Sequence, residues 1–146
     1  MIDKIEFPAV VFDNFSFRIV NNREGLVITT KAGLKNGLYD KITIVDSNGS
    51  SFEVTGAKKI KGVGPMWGYN IFLNQNILVE LNFVQKVNYV ALSDVKKEIL
   101  KWLNKEKLFW KSGGNFKEIA EIIYESESIK TMIIHLDEVL NKIYPI

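Results

Sequence analysis

The spacing of hydrophobic residues changes once along this chain, near residue 90, and this change constrains the fold more than any other feature. In residues 77–83 (ILVELNF) every second residue is apolar, and a period of two predicts a strand with one buried face. After residue 90, apolar residues recur every three or four positions, which predicts amphipathic helices. The sequence therefore predicts an α+β fold with a β-rich part, 1–90, and a helical part, 91–146.

Turn signals divide the β-rich part into six or seven short strands, which favours an antiparallel, strongly curved sheet or a small barrel. Asn48-Gly49 is typical of a tight hairpin turn. Pro8 lacks a backbone N–H, so the first strand should lie at an edge or start late. Gly56 indicates a β-bulge. The predicted strands are 5–12, 15–20, 26–30, 38–46 and 51–61, separated by turns or loops at 13–14, 21–25, 31–37 and 47–50.

A further hairpin is predicted from 67–73 and 77–83, joined by the polar residues 74–76. A Gly/Pro loop that carries Trp67 opens it. The alternation should place Trp67 and Tyr69 on the same side as the apolar residues of 77–83.

Three helices are predicted in the last third of the chain. Ser93 is a suitable N-cap for the first, which should end near residues 104–107. Asn115 can cap the second, and Ser126 or Ser128 the third. The short junction between the two parts predicts that 1–146 forms a single domain with one shared core.

The composition excludes several classes of site. The chain has no cysteine, so disulfides, thiolate metal sites and cysteine nucleophiles are excluded. The formal net charge of +2 is too small to imply a polyanionic partner. The N-terminal residues lack the apolar core of a signal peptide, and no apolar run approaches the length of a membrane span. We therefore expect a cytoplasmic protein that does not enter a membrane.

No catalytic constellation is evident. His135, the only histidine, has no nucleophile placed beside it by a motif, and we predict a surface or boundary histidine. Asp40, Asp46 and Glu53 could face each other across two strands, and hard cations bind such oxygen ligands. An enzyme with a carboxylate site stays an alternative hypothesis on that basis, whereas the main prediction is no catalytic, cofactor or metal site.

Two segments are candidate protein-binding surfaces. Aromatic residues in loops are frequent at interfaces, which points to Trp67 and Tyr69. An acidic cluster in the helical part could steer a basic partner. This cluster comprises Glu118, Glu121, Glu125 and Glu127.

The main functional hypothesis is a non-enzymatic protein-binding domain. The Lys-, Asn- and Ile-rich composition is typical of an AT-rich microbial genome. A small bacterial toxin-neutralising (immunity-type) protein that blocks its partner is a concrete form of this hypothesis. The net charge argues against a nuclease toxin as its target.

The alternative hypothesis is a small-barrel protein that binds single-stranded nucleic acid. Lysines in β-side loops, close in sequence to aromatic residues, could contact phosphates while the aromatics stack on bases. Only two arginines are present, which weighs against base recognition. The lysines concerned are Lys31, Lys35, Lys58, Lys59 and Lys61.

Overall fold

The computed structural model of the chain describes residues 4–13, 17–63, 75–105 and 116–143. Strands and helices alternate irregularly in the first half of these ranges, and the second half ends in three long helices. The strands are β1 (Ala9–Phe12), β2 (Phe17–Val20), β3 (Ile28–Thr30), β4 (Thr43–Val45), β5 (Ser51–Gly62) and β6 (Asn76–Val87). The helices are α1 (Arg23–Val27), α2 (Lys31–Lys35), α3 (Leu92–Lys105), α4 (Phe116–Glu125) and α5 (Ile129–Ile143).

The strands form one antiparallel sheet, curved into a half-barrel, in the order β2-β1-β4-β5-β6-β3. The longest pair is β5 with β6, and three register shifts interrupt its ladder. One of them lies between Val54 and Gly56, where a bulge was predicted. Bulges increase the local bend and twist of a strand, which helps such a sheet to curve. The predicted α+β fold is confirmed.

The hairpin between β4 and β5 forms where Asn48-Gly49 predicted it. Val45 lies opposite Ser51, and Gly49 has a positive φ of 84°. Glycine adopts this backbone conformation without the steric cost that other residues meet. The Gly49 N–H donates to the Asp46 carbonyl over 3.0 Å and closes the turn.

Two short helices replace predicted turn, strand and loop segments. Residues 23–27 form α1, although 21–25 were predicted as a turn and 26–30 as a strand. Residues 31–35 form α2, although 31–37 were predicted as a loop. The side chains of Asn22 and Thr30 accept from the backbone N–H groups of Gly25 and Gly33. The same residue types favour turns and helix N-caps, and here they cap helices.

Two predicted strands are shorter than expected. The first strand starts late, at Ala9, which is one of the two outcomes that Pro8 predicted. The other outcome, an edge position, is not observed, because β1 lies between β2 and β4. Only residues 43–45 of the predicted strand 38–46 belong to the sheet. Turns occupy the residues before β4, and Gly37 and Lys41 have φ values of 81° and 56° there. Positive φ angles are incompatible with a strand, so the ladder begins after Lys41.

Strand β6 contains the predicted strand 77–83 and pairs with β5 on one side and β3 on the other. Its predicted hairpin partner, 67–73, lies outside the described residues. The main neighbour of β6 is thus β5, a strand separated from it by a long connection.

Strands β1 and β4 are buried on both faces, and each face belongs to a different apolar core. The core that the sheet shares with α1, which we name the inner core, includes Ile44 and Val11. The outer core lies between the sheet and α3–α5, and includes Val45 and Val10. Neighbouring residues on a strand point to opposite faces, so each of these strands contributes to both cores.

The three C-terminal helices agree with the predicted apolar stripes. The predicted cap Ser93 is wrong, because α3 already begins at Leu92, and the predicted cap Asn115 lies outside the described residues. The Ser128 hydroxyl accepts from the Thr131 N–H over 3.1 Å at the start of α5, as an N-cap does. Each helix turns apolar residues toward the outer core, among them Ile99 of α3, Ile123 of α4 and Ile133 of α5. No helix in the described ranges combines the length and apolar character that spanning a bilayer requires. The single-domain interpretation stays a prediction, whereas the expectation of one shared core is wrong, because the described residues form two apolar cores.

Candidate functional site

The exposed side of α4 brings three of the predicted acidic residues together. Glu118, Glu121 and Glu125 are all exposed. Their spacing of three and then four residues places them on one side of a helix. Ile119 and Ile123, on the other side, are fully buried in the outer core. The helical period therefore separates an acidic outward face from an apolar inward face.

The fourth acidic residue, Glu127, is exposed in the connection between α4 and α5. Within the described ranges, neither Glu127 nor any of the three α4 glutamates has a cation within salt-bridge distance. Glu125 also lies at the C-terminal end of α4, where the helix dipole disfavours negative charge. The intramolecular contacts of the described residues therefore give these charges little stabilisation.

Lys96 of α3 fixes the C-terminal end of α4. Its ammonium donates to the carbonyl oxygens of Tyr124 and Ser126, over 3.3 and 2.6 Å. A cation at this end of a helix satisfies carbonyls that have no partner inside the helix, and it complements the dipole. The backbone that presents Tyr124 and Glu125 is thus held by α3 as well as by the core.

Tyr124 is the residue of this surface that the sequence analysis did not identify. Its side chain is 69% exposed, the largest exposure among the large hydrophobic residues described. It lies on the outward side of α4, one turn from Glu121. The sequence does indicate that Tyr124 is exposed, because Tyr124 falls outside the apolar stripe of the helix. Exposed tyrosines among charged residues are typical of protein interfaces.

A second exposed tyrosine lies beside the connection between α4 and α5. Tyr89 is 66% exposed. The side chains of Tyr89 and Ile129 both cover Gly49. If Gly49 had a Cβ atom, this atom would lie 3.1 Å from Tyr89 Cδ2 and 3.3 Å from Ile129 Cδ1. Ile129 is the first residue of α5, so Tyr89 lies near the start of this helix. We name the surface formed by Tyr124, Tyr89, Glu118, Glu121, Glu125 and Glu127 the α4 surface.

The other predicted protein-binding residues, Trp67 and Tyr69, lie outside the described residues. Nothing in the structure tests them, and they stay a prediction. The α4 surface is defined from described residues alone.

The five lysines of the nucleic-acid hypothesis are exposed but do not lie in loops as predicted, and their binding of nucleic acid stays a prediction. Lys31 and Lys35 are on helix α2 rather than in a loop. Lys58, Lys59 and Lys61 are on strand β5, also not in a loop. The register places Lys59 opposite Val79 of the inner core, whereas Lys58 lies opposite the exposed Glu80. Bulges and alternation thus separate neighbouring lysines onto different faces of the sheet.

Lys59 also has a local role. Its ammonium donates to the side-chain oxygen of Gln75 over 3.3 Å, and the Gln75 carbonyl accepts from the Lys31 N–H over 2.8 Å. Gln75 is buried, so these contacts connect the ends of β3, β5 and β6. Lys59 therefore makes a structural contact, although its side chain is exposed.

The three predicted carboxylates do not converge. Asp46 is buried in the β4–β5 turn, Asp40 is exposed before β4, and Glu53 forms a 3.3 Å ion pair with Lys86. The described residues include no group of three histidine or acidic side chains placed to hold a metal ion. His135 is exposed on α5, as predicted.

A polar cavity of about 240 Å³ lies between α2 and β5, and Tyr39 and Asp40 help to line it. Burial raises the pKa of the Tyr39 phenol, while the Arg18 charge and a hydrogen bond with Thr29 act in the opposite direction. The phenol is therefore protonated at neutral pH, and it donates to the Leu26 carbonyl over 2.9 Å. It is a structural donor rather than a base.

The α4 surface is thus the best-defined candidate site in the described part of the chain. It combines unpaired negative charge, two exposed tyrosines and a backbone held by the outer core. Comparison of the chain with protein-family models, with characterised proteins and with solved structures found no match.

Proposed function

We propose that this chain is a non-enzymatic protein-binding domain that binds a basic partner through the α4 surface. The observation that carries the proposal is Tyr124, which is 69% exposed beside glutamates without ion-pair partners in the described residues. A large aromatic side chain loses little conformational entropy when it is covered, and tyrosine is enriched among residues that dominate binding energy. The glutamates would increase the association rate with a basic surface.

The rigidity of α4 supports binding by obstruction. Its inward residues are fully buried and Lys96 holds its C-terminal carbonyls. A surface formed before binding avoids the entropic cost of ordering, and it can cover a partner's site with little backbone change. The specific form of the proposal is a cytoplasmic, toxin-neutralising (immunity-type) protein of bacterial origin whose target presents a basic surface.

Replacing Tyr124 with alanine should weaken binding of the partner by about tenfold or more, because truncation of an aromatic residue that dominates binding costs about 2 kcal/mol or more. Tyr124→Phe should retain most of the affinity if the ring supplies the contact area. The partner is first captured from the source organism on the immobilised chain, and the affinities of the purified partner for the variants are then measured by calorimetry.

Reversing two charges, Glu121→Lys with Glu125→Lys, should slow association severalfold, and the difference should shrink as salt is added. Glu24→Lys with Glu80→Lys is the matched control, because it makes the same charge change at exposed positions outside the α4 surface. Equal association rates for the two double variants, or the absence of any stoichiometric partner, would contradict the proposal.

A further inference from the structure

A second cavity, of about 200 Å³, lies between the outer face of the sheet and the first two turns of α3. Its floor is apolar, because Phe12, Val45 and Val95 line it and are each at most 7% exposed. Thr43 lies opposite Phe12, and Ser51 lies opposite Val45. Cross-strand partners share a face of the sheet, so both hydroxyl-bearing residues lie on the cavity side.

Ser51 is the buried polar residue of this cavity. It is 8% exposed, and its hydroxyl makes no hydrogen bond within the described part of the chain. The oxygen is not sealed from the cavity, since Trp102 Nε1 is the only fully buried side-chain polar atom without a partner among the described residues. Ser51 Oγ is therefore free to accept a hydrogen bond from a ligand in the cavity.

Two carboxylates line the same cavity from α3. Asp94 and Glu98 are one turn apart, and like charges at this spacing destabilise a helix. Glu98 has one weak ion pair, with Lys101 at 3.9 Å, and Asp94 has none among the described residues. A cation placed in the cavity would relieve the repulsion between the two carboxylates.

The size of the cavity indicates the size of its ligand. Pockets for drug-sized molecules are typically about 300–1,000 Å³, whereas a cavity of about 150 Å³ is sufficient for benzene. A volume of about 200 Å³ therefore suits a group no larger than one long side chain.

We propose that this cavity binds the alkylammonium group of a small amine. The ammonium, which has three donors, is placed between Ser51 Oγ and the carboxylates of Asp94 and Glu98. The hydrocarbon part packs on the apolar floor, as the stem of a lysine does on apolar surfaces. This site is separate from the α4 surface and does not depend on the function proposed for it.

The test is a titration of the full chain with n-butylamine, followed by amide chemical shifts. Neutral n-butanol and the anion n-butyrate have the same hydrocarbon part and serve as probes of the charge. We expect saturable binding of butylamine with shifts in 43–51 and 92–99, binding of butanol weaker by about tenfold or more, and no binding of butyrate. No saturable shift with butylamine, or equal affinities for butylamine and butanol, would overturn the proposal.

Variants locate the binding groups. Asp94→Asn with Glu98→Gln should weaken butylamine binding by about tenfold or more, and Ser51→Ala by severalfold. Glu24→Gln with Glu80→Gln removes the same charge at exposed positions outside both sites and should leave butylamine binding unchanged. Thermal unfolding of each variant establishes that it is folded. Unchanged affinity in the folded Asp94/Glu98 variant would contradict the site, whatever is found for the α4 surface.

The alkylammonium group could belong to a free amine or to a lysine of another protein. Nα-acetyl-lysine N-methylamide, which carries the lysine side chain between two peptide bonds, distinguishes these sources. Binding as tight as that of butylamine supports the proposal with a protein lysine as ligand. Binding of butylamine without binding of the lysine derivative supports the proposal with a free amine as the ligand.

Discussion

Replacing Asp46 with alanine should lower the free energy of unfolding by about 3 kcal/mol, and Asp46→Asn by about 2 kcal/mol. Asp46 is 1% exposed in the β4–β5 turn. Its carboxylate accepts from the backbone N–H groups of Glu6, Asn48 and Ser50, over 3.1, 3.0 and 2.9 Å. Alanine leaves all three donors without this acceptor. Asparagine replaces one oxygen with an NH₂ group, which cannot accept.

The effect should be large because the turn joins distant segments. The Ser47 N–H donates to the Glu6 carbonyl over 3.0 Å, and the Val90 N–H donates to the Gly49 carbonyl over 2.7 Å. The same turn therefore connects the segment before β1 with the segment that leads into α3.

Urea unfolding at neutral pH measures the effect of Asp46→Asn. Asp40→Asn is the control, because Asp40 is exposed and the same chemical change should alter stability by less than about 0.5 kcal/mol. Equal stabilities of the two variants would show that the Asp46 hydrogen bonds do not support the fold.

Neighbouring residues of β4 should both be needed for stability although they face opposite sides of the sheet. Ile44→Ala should cost about 2–4 kcal/mol, and Val45→Ala about 1–3 kcal/mol. Ile44 is fully buried in the inner core, and Val45 is 4% exposed in the outer core. Each truncation leaves a space that the surrounding side chains fill only in part.

Val84→Ala is the matched control for Val45→Ala, since Val84 is 42% exposed on β6. The same deletion there should cost less than about 1 kcal/mol. The free energies of unfolding from urea titrations give the comparison. A loss for Val45→Ala no larger than that for Val84→Ala would show that α3–α5 do not bury this face of the sheet.

Hydrophobic periodicity predicted the long elements well. Strand 77–83 and the three C-terminal helices have enough repeats for the period to be unambiguous, and all four are present. The Asn48-Gly49 turn was equally clear, because few other sequences favour positive φ.

The short helices α1 and α2 could not be recognised in this way. Five residues cover little more than one helical turn, too few to establish a period, and Gly33 has a low helix propensity. Tertiary contacts decide the conformation there, as Leu26 and Val27 of α1 are buried in the inner core. The caps at Asn22 and Thr30 resemble turn signals until those contacts are known.

The candidate site was partly predictable. The acidic residues follow from the sequence, and the exposure of Tyr124 follows from the helical period of α4. The placement of the β5 lysines could not be predicted, because the bulges in β5 decide which face of the sheet Lys58, Lys59 and Lys61 occupy. Burial of Asp46 was also not evident, since its three donors come from Glu6, Asn48 and Ser50, and Glu6 is far away in sequence.

Hydrogen–deuterium exchange of the chain with and without its purified partner tests most directly whether the α4 surface is where the partner binds. We expect slower exchange in residues 116–127 and around Tyr89 when the partner is bound, with exchange in β5 and β6 unchanged. Unchanged exchange in 116–127, together with protection elsewhere in the chain, would contradict the assignment of this surface.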